Sequence, residues 1–281
     1  MVENDVRAII GLWVVLVLLL WGGEVQAGQL ADRLAQFPHW ESKPTVSIAE
    51  GDLVYPDWME GTWNVTSTLI EQVAPLTPEV ITPGFESNRR YLDRPVNFRV
   101  RFQGTSNSPS VIGDRILPFI TQGRTKAIAS TKLKTPGIVA DRAFNGLNIG
   151  KAYLGDTNVQ SVKVDPTSPN RQLTTLRSGR QLISLVTGRA TETPAPNQFI
   201  ATEVSNQVFR GTSQPYFNQV ETTTAYQLER SPSLSIKADQ VTAVYLSPQD
   251  ADYFKALERP VALYHYRLKL LPVESSTELT Q

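Results

Sequence analysis

Arg99 and Arg101 stand two residues apart in the stretch Val96–Gln103, alternating with Phe98, Val100 and Phe102. Two guanidiniums at that spacing share one face of an extended strand and can together grip a carboxylate or a phosphate. If the apolar face of the same strand fills an interior, the arginines are solvated instead, and the alternation fits both arrangements. A second set is Tyr226, Tyr264 and Tyr266 with Phe254. Such rings either pack as core or line an apolar pocket to which the tyrosines add a hydroxyl. Glu203 and Glu221 fall on neighbouring expected strands, where two carboxylates facing one cavity would make an acid/base pair. A wet sheet face explains them equally well.

Other chemistries lack their residues. His39 and His265 have no metal-ligand spacing, and the chain has no cysteine to complete a zinc site, form a disulfide or act as a nucleophile. The chain holds neither a Gly-x-Ser-x-Gly elbow nor a Gly-x-Gly-x-x-Gly phosphate turn. No metal, no cofactor and no catalytic set is therefore expected. The 281 residues carry 27 basic and 27 acidic side chains, a balance that excludes a polybasic nucleic-acid protein.

The elements that must position these residues read as β. The chain contains 26 Val and 26 Thr, and β-branched residues favour strands. Gly61–Val73 alternates, with Trp63, Val65, Leu69 and Val73 on one face. Val96–Gln103 alternates likewise, and so do Ala262, Tyr264, Tyr266, Leu268 and Leu270 against His265, Arg267 and Lys269. Further strands are expected at Thr125–Leu133, Ser161–Val164, Leu173–Leu176, Gln181–Gly188, Phe199–Val204, Gln207–Arg210, Val220–Glu229 and Val241–Leu246. Ser178-Gly179 and Ser205-Asn206 are read as hairpin turns. Helices are expected at Asp141–Leu154, despite Gly146 and Gly150, and after Ser247-Pro248. The expected fold is mainly β, an antiparallel meander closing into a barrel with one or two short helices.

At the N-terminus, the apolar run Ile9–Trp21 followed by Val25-Gln26-Ala27 has the form of an export signal, too short to span a bilayer comfortably. Cleavage would remove one base and three acids and leave Gly28 first; without cleavage, the same run would tether the protein to a membrane. The expected organisation is a signal peptide over 1–27, a lead-in with a short helix over 28–60, one β-barrel domain over 61–272 and a flexible tail over 273–281.

Gly61-Thr62-Trp63, opening the first long strand, resembles the Gly-x-Trp that opens lipocalin barrels. There the glycine permits a bend and the tryptophan plugs the closed end. The resemblance implies an arginine from the last-strand region lying over that tryptophan, for which Arg267 is the first candidate and Arg259 the second. The longer strings YPDWMEGTWNVTSTL and PGFESNRRYL are similar to an uncharacterised family of cyanobacteria and plant plastids, over about residues 50–272. That similarity implies a thylakoid-lumen or periplasmic setting and no established activity.

Two functions are then expected of such a chain. One is a lipocalin-like binding protein for a small apolar or amphipathic molecule such as a lipid, carotenoid or tetrapyrrole. Its ligand would meet Arg99, Arg101, Tyr226, Tyr264 and Tyr266. The alternative is a non-catalytic accessory protein that binds membrane-complex proteins through exposed aromatics such as Trp40 and Trp58. An enzyme is the least supported reading, because no two reacting partners assemble.

Overall fold

The computed structural model describes residues 28–80, 84–105, 137–211 and 214–273. The export signal, the strand expected at Thr125–Leu133 and residues 274–281 of the tail lie outside the described residues. Twelve strands form one antiparallel sheet: β1 (Ser47–Ile48), β2 (Val54–Tyr55), β3 (Gly61–Val73), β4 (Pro95–Gly104), β5 (Ile138–Ala140), β6 (Val159–Asp165), β7 (Ser168–Leu176), β8 (Gln181–Glu192), β9 (Gln198–Arg210), β10 (Tyr216–Glu229), β11 (Ser235–Leu246) and β12 (Ala262–Pro272). Eleven follow the order β2-β5-β4-β3-β12-β11-β10-β9-β8-β7-β6, and β1 pairs β8 beside that path. The meander expected from the alternation is present, curled into a half-barrel. The four α-helical segments among the described residues are α1 (Gln29–Ala35), α2 (Phe85–Asn88), α3 (Arg142–Leu154) and α4 (Tyr253–Ala256). None is long and apolar enough to cross a membrane.

Alternation becomes two faces with different cover. Inside the curl, Trp63, Val65, Val100, Phe102, Ile236 and Leu270 pack into the main core with Met59. Outside it, Val241, Ala243, Tyr245 and Leu263 pack under Trp40, Leu34 and Phe37 of the lead-in. The sheet is thus covered on both faces where β11 and β12 meet, at Ala243, Tyr245 and Leu263 on one side and Ala262 and Tyr264 on the other. A bulge between His265 and Tyr266 sets Tyr266 opposite Leu69 but His265 opposite Glu71. One extra residue reverses the side-chain parity. Leu69 therefore packs with Ala262 and Tyr264, while Val73 joins the outer cluster under Trp40, so the two do not share a face as the bare alternation suggests.

The first and last strands of the path are not hydrogen-bonded to each other, and α3 fills the gap. Asp141 caps this helix by accepting from the Phe144 N–H at 3.0 Å. Asn145 lies against β4 where the short β5 ends: its Oδ1 accepts from the Arg101 N–H at 2.7 Å and its Nδ2 donates at 3.1 Å to the Arg101 carbonyl, which the Asp141 N–H also reaches at 2.9 Å. Both backbone groups of a strand edge are satisfied there without a further strand. On the opposite side Gly150 passes Val159 of β6 so closely that a Cβ would sit 3.2 Å from Cγ2, and at Gly146 one would sit 3.0 Å from Val162 Cγ1. The two glycines that weaken the helical reading of the sequence are the ones that let the helix seat against β6.

Two local expectations are corrected. Ser205-Asn206 is no turn: β9 runs unbroken through it, with Ser205 opposite Val220 and Asn206 opposite Gln219 on β10, and both opposite β8. Pairing on both flanks outweighs the turn preference of the dipeptide. The helix after Ser247-Pro248 is a turn, and the short α4 begins later, at Tyr253. Ser178-Gly179 does turn, with φ of 65° and 74°.

Candidate functional site

The inside of the curl holds a half-open cavity of about 350 Å³. Its walls come from β3, β4, β10, β11 and β12, with Tyr55 of β2 on one side and α3 on another. The strands contribute their inward positions Val65, Phe98, Val100, Phe102, Leu268 and Leu270, and α3 contributes Ile149. Hydroxyl and amide groups come from Ser67, Asn145, Tyr153, Tyr226, Gln240, Thr242 and Tyr266. No charged side chain lines the space among the described residues.

One end is closed by the segment the sequence singles out. Gly61 has φ +121°, a backbone region that side chains rarely enter. Trp63, 2 % exposed, donates its indole N–H to the Met59 carbonyl at 2.8 Å. Tyr55 stands beside it among rings, 4.8 Å from Phe102, 5.6 Å from Phe199 and 6.3 Å from Tyr226 between centroids.

The polar groups of the walls are tied to one another. Ser67 Oγ and Tyr153 Oη lie 3.2 Å apart, and the Tyr153 carbonyl accepts from Tyr91 at 2.8 Å. Gln240 Oε1 accepts from Thr224 at 3.3 Å. Burial raises the Tyr153 and Tyr266 hydroxyls above the ordinary tyrosine range, so both remain protonated donors. Tyr226 is pushed up to about 12 by burial, with the Glu203 charge adding to it. A folded-state shift of that sign stabilises the protein fully below the unfolded tyrosine value near 10 and is lost as pH rises toward 12. Between those limits the stability contributed should fall by about 1.4 kcal/mol per pH unit. Urea midpoints measured at pH 9, 10 and 11 should therefore fall more steeply for the native protein than for Tyr226→Phe.

The expected site residues separate. Tyr226 and Tyr266 line the cavity. Tyr264 is buried one cluster away with Leu69, Phe85 and Ala262, its hydroxyl accepting from Asn88 at 3.2 Å. Phe254 is 82 % exposed on α4 and belongs to no core. Arg99 and Arg101 point away from the cavity, because Phe98, Val100 and Phe102 occupy the inward positions of β4. Arg99 donates to Asn64 at 3.3 Å on the outer surface. Arg101 pairs with Asp141 at 2.7 Å and stacks 4.4 Å over the Phe144 ring, fastening the start of α3. Arg267 is exposed opposite Thr68 on the outer face. Trp63 and Val65 instead face Pro272 and Leu270, so the side-chain parity of β12 carries Arg267 away from Trp63.

A cation does cover a tryptophan elsewhere: the Arg33 guanidinium lies 3.9 Å over Trp40. Trp40 is only 3 % exposed and donates its indole N–H to the Arg33 carbonyl at 2.7 Å, so it is no anchor for a partner. Trp58 is half-buried against the main core.

Glu203 and Glu221 do not meet either. Thr222 opposes Glu203 and Val204 opposes Glu221 across the β9–β10 ladder, which puts the two carboxylates on opposite faces. Glu203 is shared inside by Arg142 at 2.7 Å and Arg189 at 2.8 Å. Arg189 also donates to Asn170 at 2.7 Å and the Gly51 carbonyl at 2.9 Å. Glu221 is held outside by Arg33. These are two structural ion clusters, Glu203 with two arginines and Glu221 with one, and neither carboxylate faces the other as an acid/base pair would. His265 lies 3.4 Å from Asp239, and among the described residues no group of metal-ligating side chains gathers.

Sequence reasoning missed Ser67, Tyr153, Gln240 and Thr242. Ser67 could have been found, since it occupies the inward parity between Val65 and Leu69. Tyr153 belongs to a helix whose placement inside the curl no periodicity reveals.

Comparison with curated proteins and with solved structures finds no match. A family match covers residues 47–274, from β1 to just past β12. The chain belongs to the family described as domain of unknown function DUF6816.

Proposed function

We propose that this half-barrel is a binding protein for one small apolar or amphipathic molecule, held in the cavity beside Val65, Val100 and Leu268. The observation that carries the reading is the cavity itself, about 350 Å³, within the range of small-molecule pockets and near its lower end. Apolar walls with a few convergent hydroxyls and amides are the usual composition of such a site. The volume supports a short acyl chain or a compact ring system better than an extended carotenoid or a whole tetrapyrrole. The lipocalin-like reading has the support of Gly61 at its positive φ and of Trp63 closing one end. An exported setting, the thylakoid lumen or the periplasm, belongs to the same proposal and rests on Ile9–Trp21 and the small residues after it.

The test is titration of medium-chain fatty acids, fatty alcohols and pigments while following tryptophan fluorescence, with Trp63 and Trp58 beside the cavity core. Saturable quenching by a single site is expected. Ile149→Trp, which places a larger ring at a partly exposed wall position on α3, should weaken that binding tenfold or more while leaving the fold intact. Quenching that never saturates with any of these compounds would overturn the proposal.

A further inference from the structure

We propose that the cavity selects electrically neutral amphiphiles, a medium-chain alcohol or a phenol, and rejects the carboxylate of the same chain. This rests on the binding function proposed above and names its ligand class. The first observation is the wall: among the described residues every side chain that lines it is uncharged, from Tyr55 to Leu270. The second is how the described arginines of β4, α3, β8 and α1 are engaged. Arg99 and Arg101 occupy the outward positions of β4. Arg142 and Arg189 both close on Glu203, and Arg33 closes on Glu221 outside the sheet. Each of those ionic clusters is already paired, and none contributes to the lining. A carboxylate drawn into this space would give up its hydration, and no described side chain of the wall offers a positive charge to replace it. A hydroxyl gives up far less and can both donate and accept.

The polar groups of the wall suit that exchange. Of the two hydroxyls of Ser67 and Tyr153, 3.2 Å apart, one donates to the other, which leaves one proton and several lone pairs for a guest. Gln240 has its Oε1 occupied by Thr224, so what it offers a guest is its amide donor. Thr242 adds a hydroxyl on the same strand, two residues on and therefore on the same face. A guest hydroxyl at this spot finds donors and acceptors together, whereas a carboxylate, which only accepts, leaves the acceptors without a partner.

The experiment compares 1-decanol, decanoate and decylammonium at pH 8 by competition against the tryptophan-quenching signal of the intact chain. Decanol should bind at least tenfold more tightly than either ion. Ser67→Ala with Thr242→Val should reduce that preference by weakening decanol alone, and Gln240→Lys should shift it toward decanoate. If decanoate binds the native protein as tightly as decanol, the selectivity is wrong while the cavity remains a binding site. If none of the three binds, the selectivity for a neutral medium-chain guest falls, and the binding function falls with it only where the pigments fail to bind as well. Where Gln240→Lys does not fold, the native three-ligand comparison decides alone.

Discussion

Trp63→Ala should destabilise the protein by about 3–5 kcal/mol, as expected when a large ring is deleted from a packed core. The indole fills the end of the curl between Met59, Val65, Val100 and Leu270, where no side chain can slide in from solvent to fill the void. Its loss also strands the Met59 carbonyl, which accepts the indole N–H at 2.8 Å in a buried setting, and an orphaned buried acceptor adds its own cost. Thermal unfolding followed by circular dichroism should show a fall of roughly 10 °C or more for a domain of this size. Trp63→Phe keeps most of the apolar volume and should lose less. Arg267→Ala is the matched control: an exposed outward side chain on β12 should change stability by no more than about 0.5 kcal/mol. If Arg267→Ala instead costs as much as Trp63→Ala, the arginine does cover the indole and the face assignment of β12 is mistaken.

That contrast shows which parts of the molecule a sequence can disclose. β3, β4 and β12 were legible because one face is buried and the other wet, so the period of two survives in the residue types. Trp63 was legible for the same reason, together with the glycine before it. The arginine expected over it rested on the lipocalin resemblance alone: the alternation of β12 already sets Arg267 with His265 and Lys269, opposite Leu268 and Leu270, and in the ladder it is Leu270 and Pro272 that face Val65 and Trp63. α3 was legible as a helix, but its position inside the curl was not. That position follows from Gly146, Gly150 and the Asn145 contact to the edge of β4, which only a folded chain brings together. The cavity inherits this limit. Tyr226 and Tyr266 were found by residue type, whereas Ser67 and Tyr153 meet across 86 residues. Arg99 and Arg101 had the right chemistry for an anion and the wrong parity for the cavity.

The lead-in before β1 reads in the sequence as an attachment, and its energetics make it part of the fold. α1 carries Arg33, 12 % exposed, onto Glu221, which is fully buried at 0 %. Both guanidinium contacts to that carboxylate are 2.7 Å. Tyr245 donates to Glu221 at 2.7 Å, and Thr223 lies 2.8 Å from its other oxygen. The start of α1 is fixed separately, with Glu192 accepting from the Leu30 N–H at 2.7 Å. A carboxylate buried so completely depends on its cation, so Arg33→Met should cost about 3–5 kcal/mol, the range for removing one partner of a buried pair. It should also expose the segment between α1 and β1 to protease, because the cover over Trp40 leaves with the guanidinium. Glu221→Gln should cost less, about 1–3 kcal/mol, since Arg33 lies nearer the surface and can turn to water. Combining the two should recover about 1–3 kcal/mol relative to the sum of the single changes, the coupling expected of groups in direct contact. Urea denaturation of the four proteins measures all of these together. Simple additivity, or an Arg33→Met protein as stable and protease-resistant as the native one, would show the lead-in to be an ornament on a sheet whose outer face closes without it.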